Sequence, residues 1–322
     1  MTAQPRLPPW RGETYHGLPS LKASSFDWKV SAYIALLGLA GSAQVLAAVA
    51  RLTGRHGEED GLVRRARLLA ATGSTIGPLL LIRHLKTPSR WYNMLRIVRP
   101  TSPMSLGSWL LTAFGGLSAL TTLGALFGRR SRLARRVAEV AQGPAAITGA
   151  GMSVYTASLL SSTSTPLWAA APAPLAAQFG AASMAGAASA LALAQRRAGE
   201  DRSARRLETL AAAAAMGEFA AARVVERRWK QAGIAHAATH GRGRALLQGG
   251  GKGAGMLLPL AAHALSVLGA EGRSSRVLPE LASLAMIAGG AAMRHGMLQA
   301  GNESARRPQD SLRFNQPRNA RR

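Results

Sequence analysis

Along the 322-residue chain, apolar stretches nearly free of charge alternate with short runs dense in arginine. The first runs from about Trp28 to Val49, and the others cover 65–83, 105–127, 137–160, 174–195, 205–226, 253–269 and 278–298. Each approaches the roughly 20 apolar residues that a helix needs to cross a hydrocarbon core. Helix is also the open-chain structure that satisfies its own backbone in lipid. The pattern therefore predicts an all-α integral membrane protein with eight transmembrane helices. Glycines such as Gly38, Gly41, Gly149, Gly289 and Gly290 recur inside the stretches, and close packing of helix backbones is their simplest reading. The weakest stretch is 205–226, where Glu208, Glu218, Arg223 and Glu226 interrupt an alanine run. It is expected to be enclosed by its neighbours.

Charge changes the picture less than its size suggests. Forty Lys and Arg against 15 Asp and Glu give a formal net charge of +25, which in a soluble chain points to nucleic acid. Here the basic residues fill gaps between apolar stretches that a soluble nucleic-acid binder does not need, so the expected partner is the lipid bilayer and not nucleic acid. The chain has no cysteine, which excludes a thiolate-held iron–sulfur cluster, a zinc finger and a disulfide framework within it.

Residues 1–27 form a polar arm without the apolar core of a removable signal, so the first apolar stretch is expected to direct insertion. Linkers 84–104 and 227–252 are long; the second is rich in Gly, Arg and His and is expected to be mobile. The basic tail, 300–322, is expected to be disordered or pinned to a surface. An even number of spans puts both termini on one face. Lys and Arg divide almost evenly between the two faces, 18 against 17, but the 17 lie in the shorter loops, which carry the positive-inside signal. The Arg-rich short loops are therefore placed in the cytoplasm, with both termini on the non-cytoplasmic side of the inner (plasma) membrane.

Most polar information lies on the terminus side. Tyr15-His16-Gly17-Leu18-Pro19-Ser20-Leu21-Lys22 leads into Trp28, and the second stretch ends at Arg83-His84. The following segment, Pro88-Ser89-Arg90-Trp91-Tyr92-Asn93-Met94-Leu95-Arg96 and then Pro100-Thr101-Ser102-Pro103-Met104-Ser105-Leu106-Gly107-Ser108-Trp109, has an unusual density of aromatics, arginines and prolines. Thr101 or Ser102 is placed to cap the third helix. These motifs, with Gly38-Leu39-Ala40-Gly41 and the stretch from Tyr155-Thr156 to Pro166-Leu167-Trp168, resemble the NrfD/PsrC family, the membrane subunits of polysulfide-reductase-type complexes. The resemblance covers about 15–112 and 150–168 and is compositional beyond that.

It implies two four-helix bundles, 28–160 and 161–299, with exchange of electrons between this chain and an exchangeable quinone, menaquinone or ubiquinone. It also implies a ferredoxin-like [4Fe–4S] subunit docked on loop 85–104, with a molybdopterin oxidoreductase subunit beyond it. No haem or iron–sulfur cluster is expected in this chain. The implied quinone site comprises Tyr155 and His84 as proton-handling groups, with Trp28, Asn93 and Arg96. His84 stands where many members carry aspartate; a histidine titrates near neutrality and can relay protons.

Each candidate has a plainer reading. Tyr155 and the tryptophans can be interfacial anchors, His84 an interfacial polar residue, Arg96 a lipid-phosphate contact, and Asn93 a loop-structuring residue. Glu139 and Glu218, carboxylates within apolar stretches, suggest function by their cost or are paired with arginine, Glu218 with Arg223 or a neighbouring helix. His263 and His295 suggest haem ligation by type but are expected near opposite faces. Two other functions fit the composition: a non-redox anchor for a complex, and a proton or small-solute transporter, which needs a polar path through the midplane.

Overall fold

The eight apolar stretches, in their described residues, each fall within long helical structure, because runs of Ala, Leu and Gly leave the backbone no competing side-chain hydrogen bonds. The computed structural model describes residues 19, 21–53, 60–241, 243–267 and 277–315. Tyr15 to Leu18, Ser20, and the arginines at 318, 321 and 322 lie outside them. In chain order the elements are α1 (Trp28–Thr53), α2 (Asp60–His84), a 3-10 segment (Pro88–Leu95), α3 (Pro103–Phe127), α4 (Arg132–Ser161) and α5 (Pro166–Ala169). There follow α6 (Pro172–Arg197), α7 (Asp201–Gln231), α8 (His236–Thr239), a π-helical segment (Ala245–Leu257), α9 (Leu258–Val267), α10 (Val277–Arg306) and α11 (Pro308–Asn315). No strand occurs among the described residues.

Four helices, α1, α3, α6 and α10, are long and apolar enough to cross a membrane, and the bent pair of α2 with the 3-10 segment, at 114°, adds a fifth candidate. The remaining long helices carry more charge. α1 packs on α2 and α4, and α3 on both of those; α6 packs on α7 and α10, which also receives the π-helical segment and α9. α1 and α4 in turn lie against α6, so one apolar core runs from Ile34 and Leu37 through Met152 and Phe179 to Trp229 and Met293.

One expectation about a linker is overturned. Residues 227–252 are largely helical rather than a mobile loop: α7 continues to Gln231, and the glycine run belongs to the π-helical segment. Those glycines serve contact, since a Cβ on Gly255 would meet Gly289 of α10 at 2.7 Å and one on Gly250 would meet Ala292 at 2.8 Å. The described part of the tail, as far as Asn315, is mostly helical. α10 passes Gly301, whose missing Cβ leaves room for the Trp168 indole, and Trp168 Nε1 donates to the Met297 carbonyl at 2.9 Å. α11 then tucks Asp310 and Ser311 inside.

Candidate functional site

Consecutive antiparallel helices bring the start of one to the end of the next, and so Asp27, just before α1, meets His84, the last residue of α2. His84 Nδ1 lies 3.2 Å from Asp27 Oδ1. Asp27 also caps α1: the backbone N–H groups of Lys29 and Val30 donate to Oδ1 at 3.0 and 3.4 Å, and Lys29 Nζ sits 3.3 Å from Oδ2. A carboxylate at a helix start and an imidazole at a helix end are each favoured by the local dipole. Partial burial pushes the Asp27 carboxyl up, but the Lys29 and Val30 hydrogen bonds and the nearby His84 outweigh it and hold the group below its ordinary value. Phe26 places its ring 6.4 Å from that of His84 and stacks on Trp168 at 6.3 Å.

The first turn of α1 is tied to α10 by a second polar set. Ser31 Oγ is 2.7 Å from His295 Nδ1 and 3.3 Å from the Asp27 carbonyl, while Gln299 Nε2 lies 2.9 Å from His295 Nε2. An amide nitrogen only donates, so His295 Nε2 accepts and the ring proton sits on Nδ1, facing Ser31 Oγ. Ser31 Oγ then donates to the Asp27 carbonyl. One turn out, Ser24 donates through its N–H and hydroxyl to Asn302 Oδ1 at 2.9 and 2.7 Å. Both His295 ring nitrogens are thus in use, and the residue stands at the His84 end of the molecule.

Tyr155, on α4, lays its ring over Gly107 of α3, where a Cβ would overlap the phenol. Its hydroxyl donates to the Pro103 carbonyl at 2.8 Å. The start of α3 is fixed by Ser102, which caps it by accepting from Ser105 N–H, and by Ser105 Oγ, which donates to the Ile97 carbonyl at 3.1 Å and accepts from Arg99 N–H at 3.0 Å. Tyr155 and Tyr33 of α1 border the same apolar core.

The other expected site residues stay outside this arrangement. Trp28 is 61% exposed, and Asn93 and Arg96 are exposed in and after the 3-10 segment, where the Arg96 N–H donates to the Asn93 carbonyl at 3.3 Å. Trp91, Tyr92, Ile97 and Val98 beside them are exposed too. Glu139 is half-exposed and 3.5 Å from Arg51. Glu218 is buried; its electrostatic partner is Arg294 of α10, whereas Arg223 pairs with Glu226 at 3.6 Å. Asp27 and Ser31 were the residues that sequence reading passed over as site groups, and His295 was weighed only as a haem ligand. The signal for Asp27 was available: an aspartate directly before an apolar run is a helix-capping pattern.

Long apolar helices packed around one another define a helical integral membrane protein. The family described as Polysulphide reductase, NrfD matches residues 19–303, nearly the whole chain, and the protein belongs to that family. No match was found among curated proteins.

Proposed function

We propose that this chain is the quinone-interacting membrane subunit of a multi-subunit oxidoreductase, built as eight spans in two four-helix bundles, 28–160 and 161–299, with both termini on the non-cytoplasmic side. The observation that carries the reading is the His84–Asp27 pair at a helix junction, in a family whose members serve as membrane subunits of oxidoreductase complexes. Quinone, when bound, accepts or gives up two electrons together with two protons. The chain's own part is to hold and move those protons. His84 uses Nδ1 on Asp27, which leaves Nε2 to face a carbonyl oxygen, and the carboxylate fixes the ring's orientation. The electrons come from outside this chain, which has no cysteine, and the partner is read as a ferredoxin-like [4Fe–4S] subunit, with a molybdopterin subunit beyond it. The exposed aromatics and arginines of 85–104 suit the docking of that partner, since Trp, Tyr and Arg are favoured where proteins meet.

A fit test on Tyr155 is less favourable than on His84. Its hydroxyl is already spent on the Pro103 carbonyl, so a quinone carbonyl, which only accepts, can engage it only after that bond breaks, whereas a quinol hydroxyl can donate to the phenol oxygen. This is the observation that favours the alternative, a non-redox anchor. The test is quinone-linked turnover of the purified complex carrying His84→Gln or Tyr155→Phe. The proposal expects His84→Gln to lose on the order of 100-fold, the contribution of a positioned acid–base group, with the iron–sulfur subunit still co-purifying. Full turnover in both variants, with the complex intact, would leave the anchor reading standing.

A further inference from the structure

α1, α6 and α10 leave a cleft of about 300 Å³ between them, a volume at the lower end of small-molecule sites. Leu36 and Leu39 of α1 and Ile287 and Ala291 of α10 form its partly exposed rim, and Ala182 and Gly186 of α6 lie deeper. α1 and α10 are both apolar enough to span a membrane, so the cleft opens sideways toward hydrocarbon. Its one charged wall is Arg294, which is 3% exposed.

The arginine is hydrogen-bonded only to neutral groups. Nη1 donates to the Gly290 carbonyl at 2.9 Å, and Nη2 donates to the Phe179 carbonyl at 3.1 Å and to Ser183 Oγ at 2.7 Å. The guanidinium also lies 5.3 Å from the centroid of the Phe179 ring. Its Nε–H has no partner among the described residues, and Glu218 acts on it only through space, without a hydrogen bond. A permanent cation in a low-dielectric interior is stable when an anion reaches it and its donors are filled. What would suit this site is therefore an anionic head beside the guanidinium, on a body that matches alkyl walls.

We propose that the cleft binds a long-chain aliphatic carboxylate, with its head on Arg294 and its chain leaving between α1 and α10. Gly290 and Gly38 leave the space that the guanidinium occupies, since a Cβ on either would stand 3.3 and 3.2 Å from its nitrogens. A neutral head would fit the walls equally well but would leave the cation with only the through-space attraction of Glu218, so affinity is expected to follow charge.

The test is equilibrium binding of radiolabelled oleate to the purified full chain in detergent. Saturable binding is expected, with oleyl alcohol competing at least tenfold more weakly than unlabelled oleate. Arg294→Gln should erase that preference for acid over alcohol, and Ala291→Phe, which fills the rim while keeping the arginine, should weaken both ligands at least tenfold. Non-saturable binding, or equal competition by the alcohol, overturns the proposal. So does displacement of oleate by decylubiquinone as effectively as by palmitate, because the cleft would then be a quinone site. If Arg294→Gln fails to fold, the acid-against-alcohol comparison and the Ala291→Phe variant still decide.

Discussion

His84 Nδ1 and Asp27 Oδ1 approach to 3.2 Å where the end of α2 reaches the start of α1. The same carboxylate caps α1 through Lys29 and Val30, so one side chain both ends a helix and orients an imidazole. Substitution can separate these roles. Asparagine still caps, but removes the charge; alanine removes both. Asp27→Asn is expected to lower quinone-linked turnover on the order of tenfold, equivalent to about 1.4 kcal/mol of barrier, while keeping the helix cap. Asp27→Ala should lose the same activity and a further ~0.5–2 kcal/mol of stability, the usual cost of a removed cap. Turnover and thermal melting measured on the two variants check this.

The pH dependence of that pair has a definite sign. The Asp27 carboxyl is held below its ordinary value by Lys29, Val30 and His84 despite the opposing effect of burial. Its contribution to stability is therefore complete above the unfolded value, about pH 3.9, and is lost as pH falls through the depressed folded value. Melting temperatures from pH 7 to pH 3 should show a shallower acid fall in Asp27→Asn than in the parent chain. Parallel curves would remove the ion pair from the account.

Tyr155 and Gly107 are matched by exclusion: the phenol fills the space that a side chain at 107 would take. Gly107→Ala should displace the ring from the Pro103 carbonyl and cost about 1–3 kcal/mol by overpacking. Tyr155→Phe keeps the ring and loses only the hydrogen bond, about 0.5–1.5 kcal/mol. Denaturation in detergent orders the two variants, and a Gly107→Ala protein as stable as Tyr155→Phe would contradict the packing.

The helices were legible because charge-free stretches of bilayer length carry the signal; Trp28 and Pro103 begin helices within two residues of where the pattern changes. The Ser102 cap was legible for a similarly local reason. Partnerships across the chain were not. Asp27 and His84 are 57 positions apart, and nothing in either neighbourhood names the other. Ser31 and His295 are separated by 264, and His295 read alone suggested at most a metal ligand. The glycine run at 249–255 misled because glycine reads locally as looseness, whereas here it permits a flat contact with α10. Local patterns fix elements; distant pairing depends on how those elements pack.

Ser31 and His295 are expected to act as a clamp between α1 and α10. His295→Phe removes both ring hydrogen bonds while keeping a flat ring, and Ser31→Ala removes one of them together with the bond to the Asp27 carbonyl. Each should cost about 0.5–1.5 kcal/mol per bond lost. The double variant should cost less than the sum, because both singles break the same contact. A double-mutant cycle on melting data measures the coupling, and strict additivity would show that the bond contributes nothing.

Asp310 of α11 gives the opposite sign from Asp27. Its side chain is buried, with Arg307 Nε 3.5 Å from Oδ2. Burial pushes its carboxyl up, and Arg307, Ser304 and Arg313 pull it back without cancelling the rise. A raised carboxyl favours the protonated form in the folded chain. Its contribution is thus greatest below about pH 3.9 and is lost as pH rises through the folded value. Charge on this group opposes folding, so Asp310→Asn, which keeps the shape without the charge, is expected to raise the melting temperature at pH 7. That advantage should vanish below about pH 4, where the native side chain is itself uncharged. A lower melting temperature at pH 7 would mean that the Arg307 contact outweighs the burial of the charge.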